Sequence, residues 1–203
     1  MFESCGGCCL AVVLIPLLCI GAIVLGVYYI DAHGPDAPLS KNFKANAVEA
    51  QALENEITRA TNDARSMRWF AMSFTERQLS SWLAIEGQDF AEAQGHSLPF
   101  ENMQVGLDEG QMTFFGEIEQ AGLTIPLEVV IEPQADDQNQ IELDIVSADV
   151  GGLKVPDFVL KNVQEQLIDR LIKPFEDLPG TYFIYPESLM IQDGVFVVQG
   201  GLR

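Results

Sequence analysis

The strongest pattern in the sequence is an uninterrupted apolar run near its start. Residues 10–30, from Leu10 to Ile30, read LAVVLIPLLCIGAIVLGVYYI and contain no charged side chain. As a helix, this run would be about 31 Å long, which is enough to cross the hydrocarbon core of a bilayer. Tyr28 and Tyr29 lie near its end, where interfacial aromatic residues are typical. The pattern predicts a transmembrane anchor over residues 1–30, including a short cysteine-rich tail in front of the helix.

A retained anchor fits the sequence better than a cleaved signal peptide. Signal peptides begin with basic residues, whereas this chain has Glu3 and no Lys or Arg before Lys41. Lys41 and Lys44 follow the apolar run, and the positive-inside rule then slightly favours a cytoplasmic domain. Residues 31–42 (DAHGPDAPLSKN) are polar and contain Pro and Gly, so they predict a linker to a domain over residues 43–203.

Two helices are predicted after the linker. Over residues 43–67, the mostly small apolar residues keep the three-and-four spacing of a helix: Ala50, Leu53, Ile57, Ala60, Ala64 and Met67. Thr75 and Gln78 then have the spacing of a capping box, in which each side chain bonds the other residue's backbone amide. The helix that follows is expected to reach about Ala93 and to end before Gly95.

The period of the pattern changes from 3.6 to 2 after residue 100. Apolar and polar residues alternate over 103–107, 112–118, 123–131 and 141–145, and polar turn residues separate these runs. Strands with this alternation are half-buried and antiparallel, and their acidic side chains lie on the solvent side. Four strands are therefore predicted, and the acidic loop at 136–139 is interpreted as a polar hairpin loop because it departs from the calcium-loop motif.

The remaining elements are a helix and a final hairpin. Gly151 and Gly152 end the strand pattern, and Pro156 suits the first turn of a helix that would continue to Lys173. Asp193 and Gly194 predict a tight turn between strands at 182–192 and 195–199. Together, the elements predict one α+β domain in which a curved antiparallel sheet packs on amphipathic helices.

The charge of the chain excludes two classes of partner. It has 30 acidic and 11 basic residues, a formal net charge of −19, which argues against nucleic acid and against electrostatic attachment to anionic lipid. From Gln78 to Leu153 there is no Lys or Arg. A solvated acidic surface explains this run most simply. A cation store and a docking face for a basic partner are the alternatives.

The motifs do not indicate an enzyme. His33 and His96 are the only histidines, and neither belongs to a catalytic spacing. The sequence contains no nucleophile elbow, zinc-protease motif, phosphate loop or dinucleotide-binding glycine motif. We therefore expect a non-enzymatic protein without a cofactor or a metal site.

The cysteines belong to the anchor rather than to the domain. They lie in or just before the apolar run, at Cys5, Cys8, Cys9 and Cys19, so the domain can contain no disulfide. Acylation of the first three, or metal binding by them, is the alternative to ordinary membrane-edge cysteines.

The apolar faces of the predicted sheet and helices allow two interpretations. They either close into a core or leave a groove that accepts an acyl chain, with a gain of about 0.8 kcal/mol per buried methylene. Such a groove would lie between the sheet and the helices at 75–93 and 156–173. Its candidate lining residues are Leu79, Trp82, Leu83, Phe90, Met112, Phe114, Ile125, Leu127, Val129, Val163, Leu167 and Leu171.

Several segments resemble a known family. They are FTERQLSSWL at 74–83, VGLDEGQMTFFG at 105–116, GGLKVP at 151–156, and LPG at 178–180 followed by IQDGVFVVQG at 191–200. They are similar to segments of the YpmS-like membrane-anchored proteins of bacteria and, more distantly, of LmeA-like periplasmic lipid-binding proteins. The resemblance implies a tubular lipid-binding (TULIP-like) fold, an extracytoplasmic location and work on lipids or the cell envelope. It supplies no catalytic residue.

Two hypotheses about function follow. In the first, the chain is a single-pass, extracytoplasmic protein of the cell membrane that binds a lipid or an acyl chain in an apolar groove. In the second, it is an accessory or structural subunit of a larger membrane complex and docks through residues 43–67 or through the anchor helix.

Overall fold

The computed structural model describes residues 25–30, 32–93, 100–120, 122–135, 141–160 and 184–202. Its helices and strands, in chain order, are α1 (Ala47–Met67), β1 (Trp69–Thr75), α2 (Glu76–Ala93), β2 (Glu101–Asp108), β3 (Gln111–Gln120), β4 (Leu123–Ala135), β5 (Ile141–Val150), β6 (Leu153–Lys154), β7 (Ile184–Gln192) and β8 (Val195–Leu202). Residues 157–160 are also helical. The predicted α+β class is confirmed.

The predicted anchor lies mostly outside the described residues. Its last turn, residues 25–30, is described and is helical, and the four cysteines are not described. In the part of the chain that the structure describes, no helix has both the length and the apolar character that crossing a bilayer requires. The anchor therefore stays a prediction.

The described strands form two antiparallel sheets rather than the one that the sequence predicted. A five-stranded sheet has the order β2-β3-β4-β5-β6, and a three-stranded sheet has the order β1-β8-β7. The hairpins that the turn residues predicted are present, because β2 pairs with β3 and β7 pairs with β8. Val146 of β5 forms a bulge, because its neighbours Ile145 and Ser147 pair with the consecutive residues Ile131 and Val130 of β4, and such a bulge bends the sheet.

Strand β1 is one of two strands that the sequence pattern did not predict, and the short β6 is the other. The sequence pattern assigned no helix or strand between residue 67 and Thr75, yet residues 69–75 pair with β8 from Trp69 opposite Gly201 to Thr75 opposite Val195. Phe70 and Phe74 are buried in it. Because the partner strand lies more than a hundred residues away, no local turn signal could have indicated this pairing.

Helix α1 begins and ends where its caps place it. The Oδ1 atom of Asn46 accepts a hydrogen bond from the backbone amide of Val48, so the helix starts later than the predicted residue 43. At the other end, Arg68 has a φ of 58°, and its amide bonds the carbonyl of Ala64. The narrow apolar face packs as predicted at four of its six positions: Ala50, Leu53, Ala60 and Ala64 are buried, whereas Ile57 and Met67 are exposed.

Helix α1 also protects one sheet edge. The guanidinium of Arg59 donates to both carboxylate oxygens of Glu56 and to the carbonyl of Ala71 in β1. The same carboxylate accepts a hydrogen bond from the amide of Ser73, at 3.1 Å. These bonds pair backbone groups of an edge strand that would otherwise be open to another chain. The bond from Arg59 also lowers the pKa of Glu56.

Helix α2 protects the edge of the other sheet in the same way. Its predicted capping box is present: the Gln78 amide donates to Thr75 Oγ1, and the Thr75 amide donates to Gln78 Oε1. The fully buried hydroxyl of Ser80 accepts a hydrogen bond from the amide of Val105 in β2 at 2.7 Å and donates to the carbonyl of the same residue. The polar side of this helix therefore bonds the backbone of β2 inside the domain.

The hydroxyl of Ser80 should contribute measurably to the stability of the domain. Ser80→Ala should lower the free energy of unfolding by about 2 kcal/mol, because it leaves a buried amide and a buried carbonyl of β2 without partners. Chemical denaturation of the full chain measures the change. Ser66→Ala is the matched control, because the hydroxyl of Ser66 is exposed, and it should change stability by less than about 0.5 kcal/mol. Equal effects of the two substitutions would contradict the role given to Ser80.

Candidate functional site

Part of the predicted groove lining belongs to a closed core. Met112 is buried in a cluster with Val105, Leu107 and Ile191, and three further candidates pack against this cluster: Leu79, Leu83 and Phe114. The strand register places Val105 opposite Phe114 and Leu107 opposite Met112, so these side chains share one face of the five-stranded sheet, its inner face. Around this cluster, the apolar faces of the sheet and of α2 close into a core.

The other described candidates lie farther along the same face. Ile125, Leu127 and Val129 alternate on β4 opposite Ile118, Gly116 and Phe114 of β3. They are half-buried, as is Trp82 on α2. The remaining candidates, the side chain of Phe90 and residues Val163, Leu167 and Leu171, lie outside the described residues, as does His96.

A groove lies on the opposite, outer face of the sheet. It has a volume of about 710 Å³ and is formed between residues 27–41 and one end of strands β3 and β4. We call it the outer groove. The described residues that line it are Val27, Tyr28, Ile30, Gly34, Pro35, Asp36, Ala37, Lys41, Phe115, Glu117, Gly122, Leu123, Thr124 and Pro126. None of the described candidates is among them.

The outer groove exists because the predicted linker lies on the sheet. The side chain of Gln104, which is 0% exposed, accepts hydrogen bonds from the amides of Leu39 and Ser40 at 3.1 and 3.2 Å and donates to the carbonyl of Ser40 at 2.8 Å. Two residues along β2, a Cβ on Gly106 would lie 2.8 Å from the Cβ of Pro38, so glycine permits the close approach. Residues 34–41, which we call the strap, are therefore fixed to the outer face.

The strap changes the expected character of that face. The alternation predicted an outer face exposed to solvent, and the acids Glu117 and Glu128 do lie there. Phe115 lies on the same face and is nevertheless buried. The sequence contained a signal for this cover, because Phe115 and Gly106 interrupt the polar side of strands β2 and β3.

The end of the predicted anchor contacts the turn between β5 and β6, at the edge of the sheet opposite β2. The ring of Tyr29 stacks on that of His33 with centroids 4.4 Å apart, and its hydroxyl is 3.5 Å from the carbonyl oxygen of Gly152. A Cβ on Gly152 would lie 2.7 Å from the carbonyl oxygen of His33. A Cβ on Gly151 would lie 3.3 Å from Ile30. These two glycines form the turn between β5 and β6, which corrects the prediction of a direct break from strand to helix.

The electrostatics near the strap are those of an acidic surface. A second groove, of about 540 Å³, lies beside the first and includes acidic residues: Asp36, Glu76, Asp108, Glu128 and Asp193. Across the described ranges, no three His, Cys, Asp or Glu side chains come together as a metal site would require. Burial raises the pKa of Glu128, and the neighbouring carboxylate of Asp149 raises it further.

The second prediction follows from the raised pKa of Glu128. Its ionised form is penalised in the folded state, so the domain should gain stability as the pH falls through the raised pKa. Glu128→Gln should therefore stabilise the protein at neutral pH, and this advantage should vanish below the ordinary carboxyl pKa. Thermal unfolding of the full chain between pH 4 and pH 7 would measure it. Glu142→Gln, at an exposed position of β5, is the control, and an equal effect there would contradict the assignment.

Comparison with known proteins identified no relative. The chain matched no protein-family model, no curated protein and no solved structure.

Proposed function

We propose that this chain is a membrane-anchored, non-enzymatic protein that binds a lipid or acyl chain in the outer groove. Residues 10–30 hold it in the cell membrane as a single-pass anchor, and the domain lies on the extracytoplasmic side, as the family resemblance implies. One observation carries the proposal: an apolar groove begins at the residues with which the predicted transmembrane helix ends.

The dimensions and lining of the groove support this function. Its volume of about 710 Å³ falls within the range of about 300–1,000 Å³ that is usual for small-molecule sites. Val27, Ile30, Phe115, Leu123 and Pro126 give it an apolar lining. At about 0.8 kcal/mol per buried methylene, even a half-buried chain of about ten carbons would gain several kcal/mol before the cost of ordering it.

The position of the groove also supports a route for the ligand. Tyr28 lines the groove and belongs to the aromatic pair that would mark the membrane interface. A chain leaving the outer leaflet at this point would pass from hydrocarbon into the groove with little exposure to water. Asp36, Lys41 and Glu117 supply polar groups to the lining, where a head group would meet solvent.

The accessory-subunit hypothesis receives less support from the contacts. Of the two docking surfaces that it offered, the anchor helix lies mostly outside the described residues. In α1, Ala60 and Ala64 already pack in a buried cluster with Phe70 and Val198, so these positions are not free to bind a partner.

Thr124→Trp is the substitution that tests the proposal, because Thr124 lies on the outer face of β4 and the larger side chain would fill the outer groove. The full chain, purified from membranes in mild detergent, should carry a bound lipid in native mass spectrometry, and Thr124→Trp should lose most of it. Val48→Trp, on the exposed side of α1, is the control and should keep the lipid. A chain without bound lipid, or equal retention by both variants, would refute the assignment to this groove.

A further inference from the structure

Large apolar side chains are exposed at one corner of the five-stranded sheet. Leu153 is 63% exposed and pairs with Val150, which is 36% exposed, and Phe158, which follows in the helical residues 157–160, is 70% exposed. We call these three residues the sheet tip. Their backbone is held in place, because Val150 pairs with Leu153 and the amide of Val155 bonds the carbonyl of Ala148. Exposed apolar groups on an ordered backbone indicate a binding surface.

The sheet tip is fixed next to the end of the predicted anchor. The turn between Val150 and Leu153 consists of Gly151 and Gly152, the residues that contact Ile30 and His33. The amide of Gly152 also donates to a carboxylate oxygen of Asp149 at 2.7 Å, which holds the turn in shape. Leu153 therefore follows directly on a residue in contact with the anchor end.

The apolar run at the start of the sequence indicates what covers this surface. It begins at Leu10, and most of it precedes residue 25, where the described residues begin. If that run crosses the bilayer, Ile30 lies at the membrane interface, and the turn against it lies at the same depth. The apolar residues that follow the turn would then face lipid.

The charge distribution agrees with this placement. The chain as a whole is strongly acidic, so most of its surface is repelled by anionic lipid. Lys154 is exposed beside Leu153, and it is the first basic residue after Arg77. The acidic stretch thus ends at the corner that would approach the head groups.

We propose that the sheet tip docks on the bilayer surface beside the anchor and holds the domain in one orientation, with the outer groove next to the membrane. This inference rests on the membrane anchor of the proposed function, but not on lipid binding in the groove. The bound partner is the interface of the lipid bilayer.

The test places an environment-sensitive fluorescent amino acid at position 153 of the full chain, reconstituted in vesicles of phosphatidylcholine and phosphatidylglycerol. We expect quenching by brominated lipid and protection from iodide in the water. The control carries the same residue in place of Met67, which is 61% exposed at the end of α1, and should show the opposite behaviour. The probe replaces an exposed side chain in each case, and circular dichroism verifies folding.

Flotation of the same vesicles separates the two claims. If the protein floats with the vesicles but position 153 is quenched by iodide as strongly as position 67, the docking inference is wrong and the anchor stands. If the protein does not float, the anchor is wrong, and the inference falls with it. Lipid retention by the outer groove is measured independently of both outcomes.

Discussion

Gln104→Leu is expected to lower the free energy of unfolding by about 3 kcal/mol and to release the strap from the sheet. The substitution removes the partners of two backbone amides and a carbonyl at Leu39 and Ser40, in a site where the side chain has no exposure. Each buried polar group without a partner costs about 1–3 kcal/mol. The backbone groups of the strap can recover hydrogen bonds only by moving into water. The loss of stability and the release of the strap from the sheet should therefore occur together.

Urea denaturation and hydrogen exchange of the full chain test this expectation. Peptides that cover residues 37–43 should exchange faster in Gln104→Leu than in the parent chain. Gln134→Leu is the matched control, because Gln134 is an exposed residue of β4 whose amide group bonds only Glu132 among the described contacts. It should change stability by less than about 0.5 kcal/mol. Unchanged exchange in the strap of Gln104→Leu would contradict the role assigned to this side chain.

Gly152→Ala is expected to separate the anchor end from the sheet. Gly152 has a φ of 87°, where an L residue costs about 1–2 kcal/mol. In addition, the new Cβ would lie 2.7–2.9 Å from the carbonyl oxygen, carbonyl carbon and Cβ of His33. Two of these atoms belong to the backbone, so a change of side-chain rotamer cannot relieve the overlap. The stacked pair of Tyr29 and His33 must therefore shift, at a total cost of about 3 kcal/mol.

Gly110→Ala separates the two causes. Gly110 has nearly the same φ, 86°, but a Cβ there would meet no atom within 4 Å. It should show the backbone cost alone, and the peptide that covers residues 25–37 should keep its exchange rate. In Gly152→Ala, that peptide should exchange faster. If the two variants behave alike, the contact between the anchor end and the turn does not contribute to stability.

Signals from residues that are close in sequence predicted most of the helices and strands. Thr75 and Gln78 predicted the start of α2, and Asp193 with Gly194 predicted the last hairpin, because caps and tight turns depend on neighbours in sequence. The alternation over β3 and β4 also assigned Met112, Phe114 and Leu127 to one face. The pairing of β1 with β8 could not be predicted in this way, since it joins distant segments and has no turn of its own.

The candidate site was harder to predict for a related reason. The alternation identified an apolar face and suggested a groove there, but the cluster around Met112 is closed by Ile191, which is remote in sequence. The outer groove depends on the strap, whose proline and glycine predicted a linker. Gln104 fixes the strap through its amide group, and a single polar residue in a strand does not indicate its partner.

Crosslinking with a photoactivatable phospholipid tests the central claim most directly. The full chain is irradiated in membranes that contain the probe, and the modified peptides are identified by mass spectrometry. Lipid binding in the outer groove predicts crosslinks at Phe115 and Thr124, and their loss in Thr124→Trp but not in Val48→Trp. Crosslinks confined to residues 10–30, or to the opposite face at Leu127 and Val129, would contradict it.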